Sequence, residues 1–448
     1  MANASHSSVQ PVISALFSSL DEKQIPYAVL RNYETLPENP GPGNDIDILV
    51  SAKAREAYLD ALAKAVNSAG WAILHKIQRY RYSCYFIYEK ETSWPIFQID
   101  SFFSYIWKGF VWIDVELLIR HRIRDDRGFY ILPPGGEAAI LFLKELLANL
   151  RVKEKYRLRI QKLAEQDPVT FICALSSSFG DEVAHEMLNL CIQGEWDRAF
   201  SNRRLWKQIL VLRALQRDLL RQSFQCAGFL WGHLWDRLRF RKGVFLALVG
   251  PDGVGKTTIC QDLQNVMRGL FRNKIHYYHG RFGFLPELKS YYCWLPFLRL
   301  GVDKASQKET DKVGQLRILL HLLYYGLEYF IAWPWILWAR KHGHMLLFDR
   351  YFYNFGSQPI YRQLPRPLIS TLLKILPRPD VTVVLKGRPN QIQQRKAELS
   401  LDEIKAQLDS LQEEWFSKLT QVLIVDTEQP LNQVLNEVRR TLVKFLRR

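Results

Sequence analysis

The sequence predicts an α/β protein. A parallel sheet with helices on both faces fills its C-terminal half, behind a smaller mixed α/β domain and a helical middle segment. Three observations carry this prediction. Five short apolar runs, over 244–249, 275–279, 345–349, 381–386 and 422–426, alternate with helical segments, the pattern of strands buried on both faces. Near the front, strand-like runs at 25–30, 45–50, 71–77, 82–88 and 95–100 surround an alanine-rich helix over 52–69. Between these regions, from Gly135 to Gly243, the periodicity is helical, most clearly over 137–150. The expected boundaries are 1–134, 135–242 and 243–448.

A chain of 448 residues is too long for one hydrophobic core. With 48% hydrophobic and 24% charged residues it is neither disordered nor collagen-like. The cysteines (Cys84, Cys173, Cys191, Cys226, Cys260, Cys293) are isolated, without a CxxC pair, which predicts neither a disulfide framework nor a zinc site and fits a reducing, cytoplasmic compartment. Residues 1–8 lack a basic segment leading into an apolar one, so no secretory signal is expected there.

The net charge of +16 is unevenly spread. Residues 1–100 carry nine basic against eleven acidic side chains, whereas 201–242 carry ten against two. Such a balance suits anionic partners. Over 203–241, leucines and tryptophans recur every three or four residues with arginines between them. That pattern fits either a helix lying on an anionic membrane at its inner face or a connecting helix with solvated arginines. No zinc finger, RNP or helix-turn-helix signature accompanies the charge, so nucleic acid is not the expected partner. The run 318–339 is long enough to span a bilayer, but it contains His321, Gly326, Glu328 and Pro334 and lies between predicted strands. Buried helices are expected there instead.

The strongest motif is Gly250-Pro-Asp-Gly-Val-Gly-Lys-Thr257, a full GxxxxGK[ST] match between an apolar strand and a helix expected over 258–270. Glycines let backbone N–H groups converge on phosphate oxygens, and the helix N-terminus adds partial positive charge. Gly250, Asp252, Gly253, Val254, Gly255, Lys256, Thr257 and Thr258 are therefore the candidate nucleotide-binding residues. Lys256 is expected to reach the β/γ-phosphates and Thr257 to ligate Mg2+.

The wording of this loop resembles that of the thymidylate kinases, and the resemblance extends over roughly 243–448. Asp349-Arg350-Tyr351 at the end of an apolar strand is similar to the family's DR[YFH] signature. This implies an Mg2+/phosphate role for Asp349 and an acceptor-phosphate contact for Arg350. The helix after 381–386 carries Arg395 where the family keeps a lid arginine, and the loop after Asp426 corresponds to the one bordering adenine. The resemblance breaks in two places. His279-Gly-Arg-Phe-Gly283 replaces a Glu-Pro-Gly-Gly-type loop, and the surroundings of Glu328 lack the arginine that would hold thymine. Arg281 is thus a candidate for a different anionic acceptor. The run Arg395-Lys-Ala-Glu-Leu-Ser400 resembles kinase-like proteins of surface-polysaccharide biosynthesis.

At the front, Asp45 and Asp47 lie two apart on a strand, so both side chains point to one face while Ile46, Ile48 and Val50 point to the other. Asp100 ends a further strand and can join them. Three such carboxylates can hold two Mg2+ ions. Residues 10–130 thereby resemble the nucleotidyltransferase fold, although Leu30-Arg31-Asn32 replaces the family's Gly-Ser, leaving an active transferase and a lapsed substrate-binding module both open.

The expected activity is ATP-Mg2+-dependent phosphoryl transfer to a nucleoside monophosphate or to a sugar or glycan, with nucleotidyl transfer as a second activity of the front domain. The alternative is a nucleotidyltransferase regulated by an ATP-sensing rear domain. Nothing in the helix faces specifies an oligomer.

Overall fold

The computed structural model describes residues 9–40, 45–79, 81–148, 152–238, 242–291, 312–357, 361, 364–396, 399–411 and 421–447. The chain divides into two compact units, Met1–Leu238 and Arg239–Arg448. The helical region after residue 134 thus shares a unit with the strands before it. Residues 41–44 and Cys293 lie outside the described residues.

In the first unit the strands are β1 (Tyr27–Val29), β2 (Asp45–Val50), β3 (Trp71–Arg79), β4 (Tyr82–Glu89), β5 (Ile96–Phe102), β6 (Tyr105–Trp107), β7 (Phe110–Ile113), β8 (Ile123–Arg124) and β9 (Tyr130–Ile131). Seven of them form one sheet in the order β3-β4-β5-β2-β1-β9-β8, and β6 and β7 form a separate hairpin. Strands β2 and β5 run parallel, with Asp45 opposite Gln98 and Asp47 opposite Asp100.

Strand alternation divides this unit into two cores. Tyr27, Val29, Ile46, Ile48, Val50, Phe97 and Ile99 face the helices Gln10–Glu22 and Arg55–Ser68. The opposite set, Ala28, Leu30 and Leu49, packs with the helices of the middle region. Asp45, Asp47 and Asp100 have the parity of this second set, so the carboxylates share the face that the middle helices cover. The alternation expected for Ile46, Ile48 and Val50 is therefore present.

The middle helices begin and end on local signals. Asp167 caps the helix Pro168–Phe179, accepting from the Thr170 N–H with proline in the first turn, and Gly194 in the left-handed region ends Asp181–Gln193. The helix expected over 137–150 instead starts at Pro134, runs α-helically to Leu143 and continues as a π-helical turn, Lys144–Ala148. Two longer helices follow, Trp196–Arg217, which buries Trp206 and Leu210, and Leu219–Leu238.

In the second unit, β10 (Val244–Val249), β11 (Ile275–His279), β12 (Met345–Asp349), β13 (Val381–Lys386) and β14 (Gln421–Asp426) form a five-stranded sheet in the order β11-β12-β10-β13-β14. Every neighbouring pair is parallel. The inner strands β10 and β12 are buried throughout, as continuous apolar runs require, while the edges β11 and β14 are partly exposed. Phe245, Ala247 and Val249 pack with helices Lys312–Ile331 and Trp333–Lys341 on one face. Helices Lys256–Val266 and Leu431–Leu446 belong to the other face and are tied together by the Arg439–Asp262 ion pair.

The run 318–339 is helical as expected, with Pro334 in the first turn of its second helix after Ala332, but it is not buried all round. Ile318, Leu322, Tyr329 and Ile336 are buried, but Leu316, Leu320, Leu323, Leu327 and Phe330 form an exposed second face. Among the described residues no helix is long and apolar enough to cross a membrane.

Candidate functional site

The sheet order puts β10 between β12 and β13; the chain leaves β10 toward β11 on one side and leaves its neighbour β13 toward β14 on the other. The carboxyl end of β10 is therefore a switch point where an open α/β sheet forms a crevice. The loop 250–255 leaves β10 there and turns into the helix Lys256–Val266. Gly253 has φ +88°, and a Cβ at this position would lie 3.0 Å from the Lys396 Cβ and 3.1 Å from the Ile392 carbonyl. The segment after β13 thus approaches the loop as closely as glycine allows. Gly253→Ala is expected to cost about 1–3 kcal/mol of stability through backbone strain and displacement of residues 392–396, read as a lower melting temperature.

Lys256 is 5% exposed, and its ammonium donates to the carbonyls of Gly250 (2.9 Å) and Pro251 (2.8 Å) and to Asp252 Oδ1 (3.3 Å). Burial lowers its pKa from the ordinary lysine range, and Asp252 pulls it back up. Thr257 Oγ1 donates to Asp349 Oδ2 at 2.7 Å. The pairing of Leu248 with Asp349 sets that carboxylate beside the loop at the end of β12. The Tyr277 hydroxyl donates to the same Oδ2 at 3.2 Å, and His279 Nδ1 stands 3.5 Å from it. Asp349 Oδ1 is buried and has no partner among the described residues. Burial, then the Asp349 charge, push the Tyr277 phenol up to about 12, so it remains a proton donor.

Arg350 has φ +69° and places Nη2 2.6 Å from Asp252 Oδ1, so a loop residue and a strand-end residue share one ion pair. Lys256, Thr257, Asp252, Asp349 and Arg350 therefore form one cluster, with Gly250, Val254, Gly255 and Thr258 in the loop and first helical turn around it. Arg395 ends the helix Pro389–Arg395 and is exposed. On the far side of β13, Thr427 donates its N–H (2.8 Å) and hydroxyl (2.7 Å) to the Lys386 carbonyl, and Arg388 pairs with Glu428 at 3.0 Å.

This cluster fits a nucleotide with Mg2+. The orphaned Asp349 Oδ1 beside the Thr257 hydroxyl offers hard oxygen ligands. The glycine-lined loop and Lys256 offer the donors a triphosphate requires.

Arg281 proves to be committed elsewhere. Its Nε lies 3.0 Å and its Nη2 2.9 Å from Glu328 Oε2, and Nη2 also donates to the Leu285 and Pro286 carbonyls. Glu328 is fully buried and accepts from the N–H groups of Gly283 and Phe284. This guanidinium therefore ties loop 281–286 to the helix Lys312–Ile331, and its Nη1 is buried with no partner among the described residues.

In the first unit, Asp45, Asp47 and Asp100 each bring a carboxylate oxygen within 4.8 Å of the others. Burial, then the charge of Asp47, push the pKa of both Asp45 and Asp100 up, and Arg31 and Lys144 pull Asp45 back. Arg31 Nε donates to Asp47 Oδ2 at 2.5 Å, and its Nη1 donates to the Tyr156 hydroxyl at 3.1 Å. Asp100 accepts from Tyr82 (2.8 Å) and from Gln98 Nε2 (2.9 Å). The Tyr105 hydroxyl is buried with no partner among the described residues, and burial followed by the Asp47 charge raises its pKa well above the usual range. This site therefore brings the three predicted carboxylates together, but it surrounds them with proton donors and a guanidinium. Arg31 thus takes one Asp47 oxygen that a divalent ion would otherwise use.

Tyr277 and His279 at Asp349, and Tyr82, Tyr105 and Tyr156 at the front carboxylates, are additions to the sequence-derived sets. Tyr277 and His279 could have been anticipated from their shared parity on β11; Tyr156 comes from a distant helix. No protein-family model matches this chain, and no curated protein matches it.

Proposed function

We propose that the protein is an ATP-Mg2+-dependent phosphotransferase acting through its second unit. The acceptor is a nucleoside monophosphate or a sugar or glycan of the surface-polysaccharide type. The observation that carries this reading is the cluster at the end of β10, where Thr257 Oγ1 lies 2.7 Å from a buried Asp349 whose other oxygen has no partner among the described residues. Bound ATP-Mg2+ would supply the γ-phosphoryl group and a charge-neutralising cation. Lys256, once released from its loop carbonyls, and the loop N–H groups would hold phosphate charge, while Thr257 and Asp349 would hold the cation. Arg350 and Arg395 are planar donors suited to the transferring and acceptor phosphates. Little covalent work falls to the protein; positioning and charge stabilisation dominate.

The test is transfer of labelled γ-phosphate from ATP-Mg2+ to thymidylate, other nucleoside monophosphates, sugars and glycan-lipid extracts. Transfer to any of these supports the reading, and the acceptor names the class. No transfer to any would overturn it and favour the alternative, nucleotidyl transfer by the first unit with the second sensing ATP. That alternative rests on the three front carboxylates, and the Arg31–Asp47 pair weighs against it.

The helix Leu219–Leu238 favours contact with an anionic membrane surface. Leu220, Phe224, Leu230, Trp231 and Trp235 are exposed on it, next to the exposed Arg217 and Arg221. Tryptophan and arginine on one exposed helix suit a headgroup layer of negative charge. The chain is expected to co-sediment at low salt with vesicles containing anionic lipid and not with neutral ones. Trp231→Ser with Trp235→Ser should weaken that binding about tenfold or more. Equal recovery with neutral vesicles, or none with either, would count against the contact.

A further inference from the structure

The front carboxylates pose a problem that their spacing alone does not reveal. Three acids within 4.8 Å need compensating positive charge, and a divalent ion is one source of it. This chain holds another. Arg31 directly follows Leu30, after β1, and its guanidinium reaches Asp47, which is only 3% exposed. The same guanidinium is held from the other side by Tyr156, on the helix Glu154–Gln166 of the middle region. Arg31 is therefore gripped at two points from two elements, with 16% of its side chain exposed. Asp100 has both oxygens engaged, by Tyr82 and Gln98. Among the described residues the Tyr105 hydroxyl at this site is buried without a partner; it is an un-ionised phenol and adds a donor, not an anionic ligand.

We infer that Arg31 stands in for the metal: the chain's own guanidinium, clamped between Asp47 and Tyr156, fills the cation position of the Asp45–Asp47–Asp100 cluster, so the first unit does not load a divalent ion while Arg31 is in place. A guanidinium satisfies a carboxylate with directional N–H donors and here takes Asp47 Oδ2, whereas a divalent ion held by the three acids draws on the same carboxylate as ligand, so the two compete for Asp47. The middle helices then act as the backing of the lock, because Tyr156 keeps Arg31 from swinging out. The inference is independent of phosphotransfer by the second unit, because its readout is ion binding without nucleotide.

The experiment is a Mn2+ titration of the full-length chain, free ion being followed by electron paramagnetic resonance. Wild type, Asp45→Asn, Arg31→Gln and Arg31→Gln/Asp45→Asn are compared. Wild type and Asp45→Asn are expected to bind the same amount of ion, whatever the second unit contributes. Arg31→Gln should gain one equivalent, and the double variant should lose it. Thermal melts run in parallel report folding: Mn2+ should raise the melting temperature of Arg31→Gln more than that of wild type. Ion binding by wild type that Asp45→Asn abolishes would overturn the inference. So would a folded Arg31→Gln that gains no ion.

Discussion

Lys256→Ala is expected to reduce γ-phosphate transfer by about three orders of magnitude while leaving the chain folded. Both halves of this expectation come from the same geometry. The ammonium sits in the loop at the helix N-terminus with three oxygen acceptors within 3.3 Å, all contributed by residues 250–252. Those carbonyls and the carboxylate are contacts of the loop with itself, so the lysine shapes the loop but joins no distant elements. Its removal leaves Asp252 still paired with Arg350, at a cost of about 1–3 kcal/mol for the deserted acceptors. Transfer suffers far more, because a preorganised cation at developing phosphate charge is worth about 10²–10³ or more in rate. The measurement is the initial rate of labelled transfer beside a thermal melt. A rate within tenfold of wild type would remove Lys256 from the reaction. Retained α-phosphate transfer by the same variant would assign that chemistry to the first unit.

The sequence made some of this legible and hid the rest for physical reasons. The five parallel strands could be read because a strand covered on both faces is an uninterrupted apolar run, as 244–249 and 345–349 show. The strand–loop–helix at 244–266 could be read because the glycines of the loop answer to backbone geometry within eight residues. The convergence of Asp45, Asp47 and Asp100 followed from period-two alternation plus one parallel pairing. Contacts between distant segments were another matter. Tyr156 meets Arg31 across 125 positions, and no periodicity in the middle helices marks that residue. Exposure was hidden as well. Leu316, Leu320, Leu323 and Leu327 follow helical spacing that looks like core, yet it is the interleaved set, Ile318, Leu322 and Tyr329, that packs on the sheet. Spacing gives the face of a helix but not which of two apolar faces the sheet takes. The middle segment posed the same difficulty: nothing in residues 135–238 states that their helices cover the front carboxylates, which follows only from the parity of β2 and β5 against the second core.

Glu328→Gln is expected to destabilise the second unit by about 3 kcal/mol, and the reason separates an anchoring role for Arg281 from an acceptor-binding one. Glu328 is fully buried and accepts from Arg281 and from two backbone N–H groups of loop 281–286. The same helix holds that loop through Tyr324, whose hydroxyl donates to the Pro286 carbonyl at 2.8 Å, and Tyr329, whose hydroxyl donates to the Gly280 carbonyl at 2.5 Å. Removing the charge leaves the Arg281 guanidinium, 19% exposed, with the Leu285 and Pro286 carbonyls and the face of the Tyr325 ring. Breaking a buried pair by taking one partner costs about 3–5 kcal/mol, and the remaining carbonyls put this case near the lower end, about 3 kcal/mol. At about 2–4 °C per kcal/mol for a unit of this size, the melting temperature should fall by about 6–12 °C. Arg281→Met alone leaves Glu328 buried with the Gly283 and Phe284 N–H groups but no cationic partner, and should lower it comparably. The double variant, with neither charge present, should recover much of the loss, since two apolar or neutral partners do not need each other. Kinetics then decide the role. For an anchoring pair, activity in each single variant follows the folded fraction, and the double variant regains it with the fold. If Arg281 instead held an anionic acceptor, Arg281→Met would raise the acceptor KM in a protein of unchanged melting temperature, and removing Glu328 would not repair it.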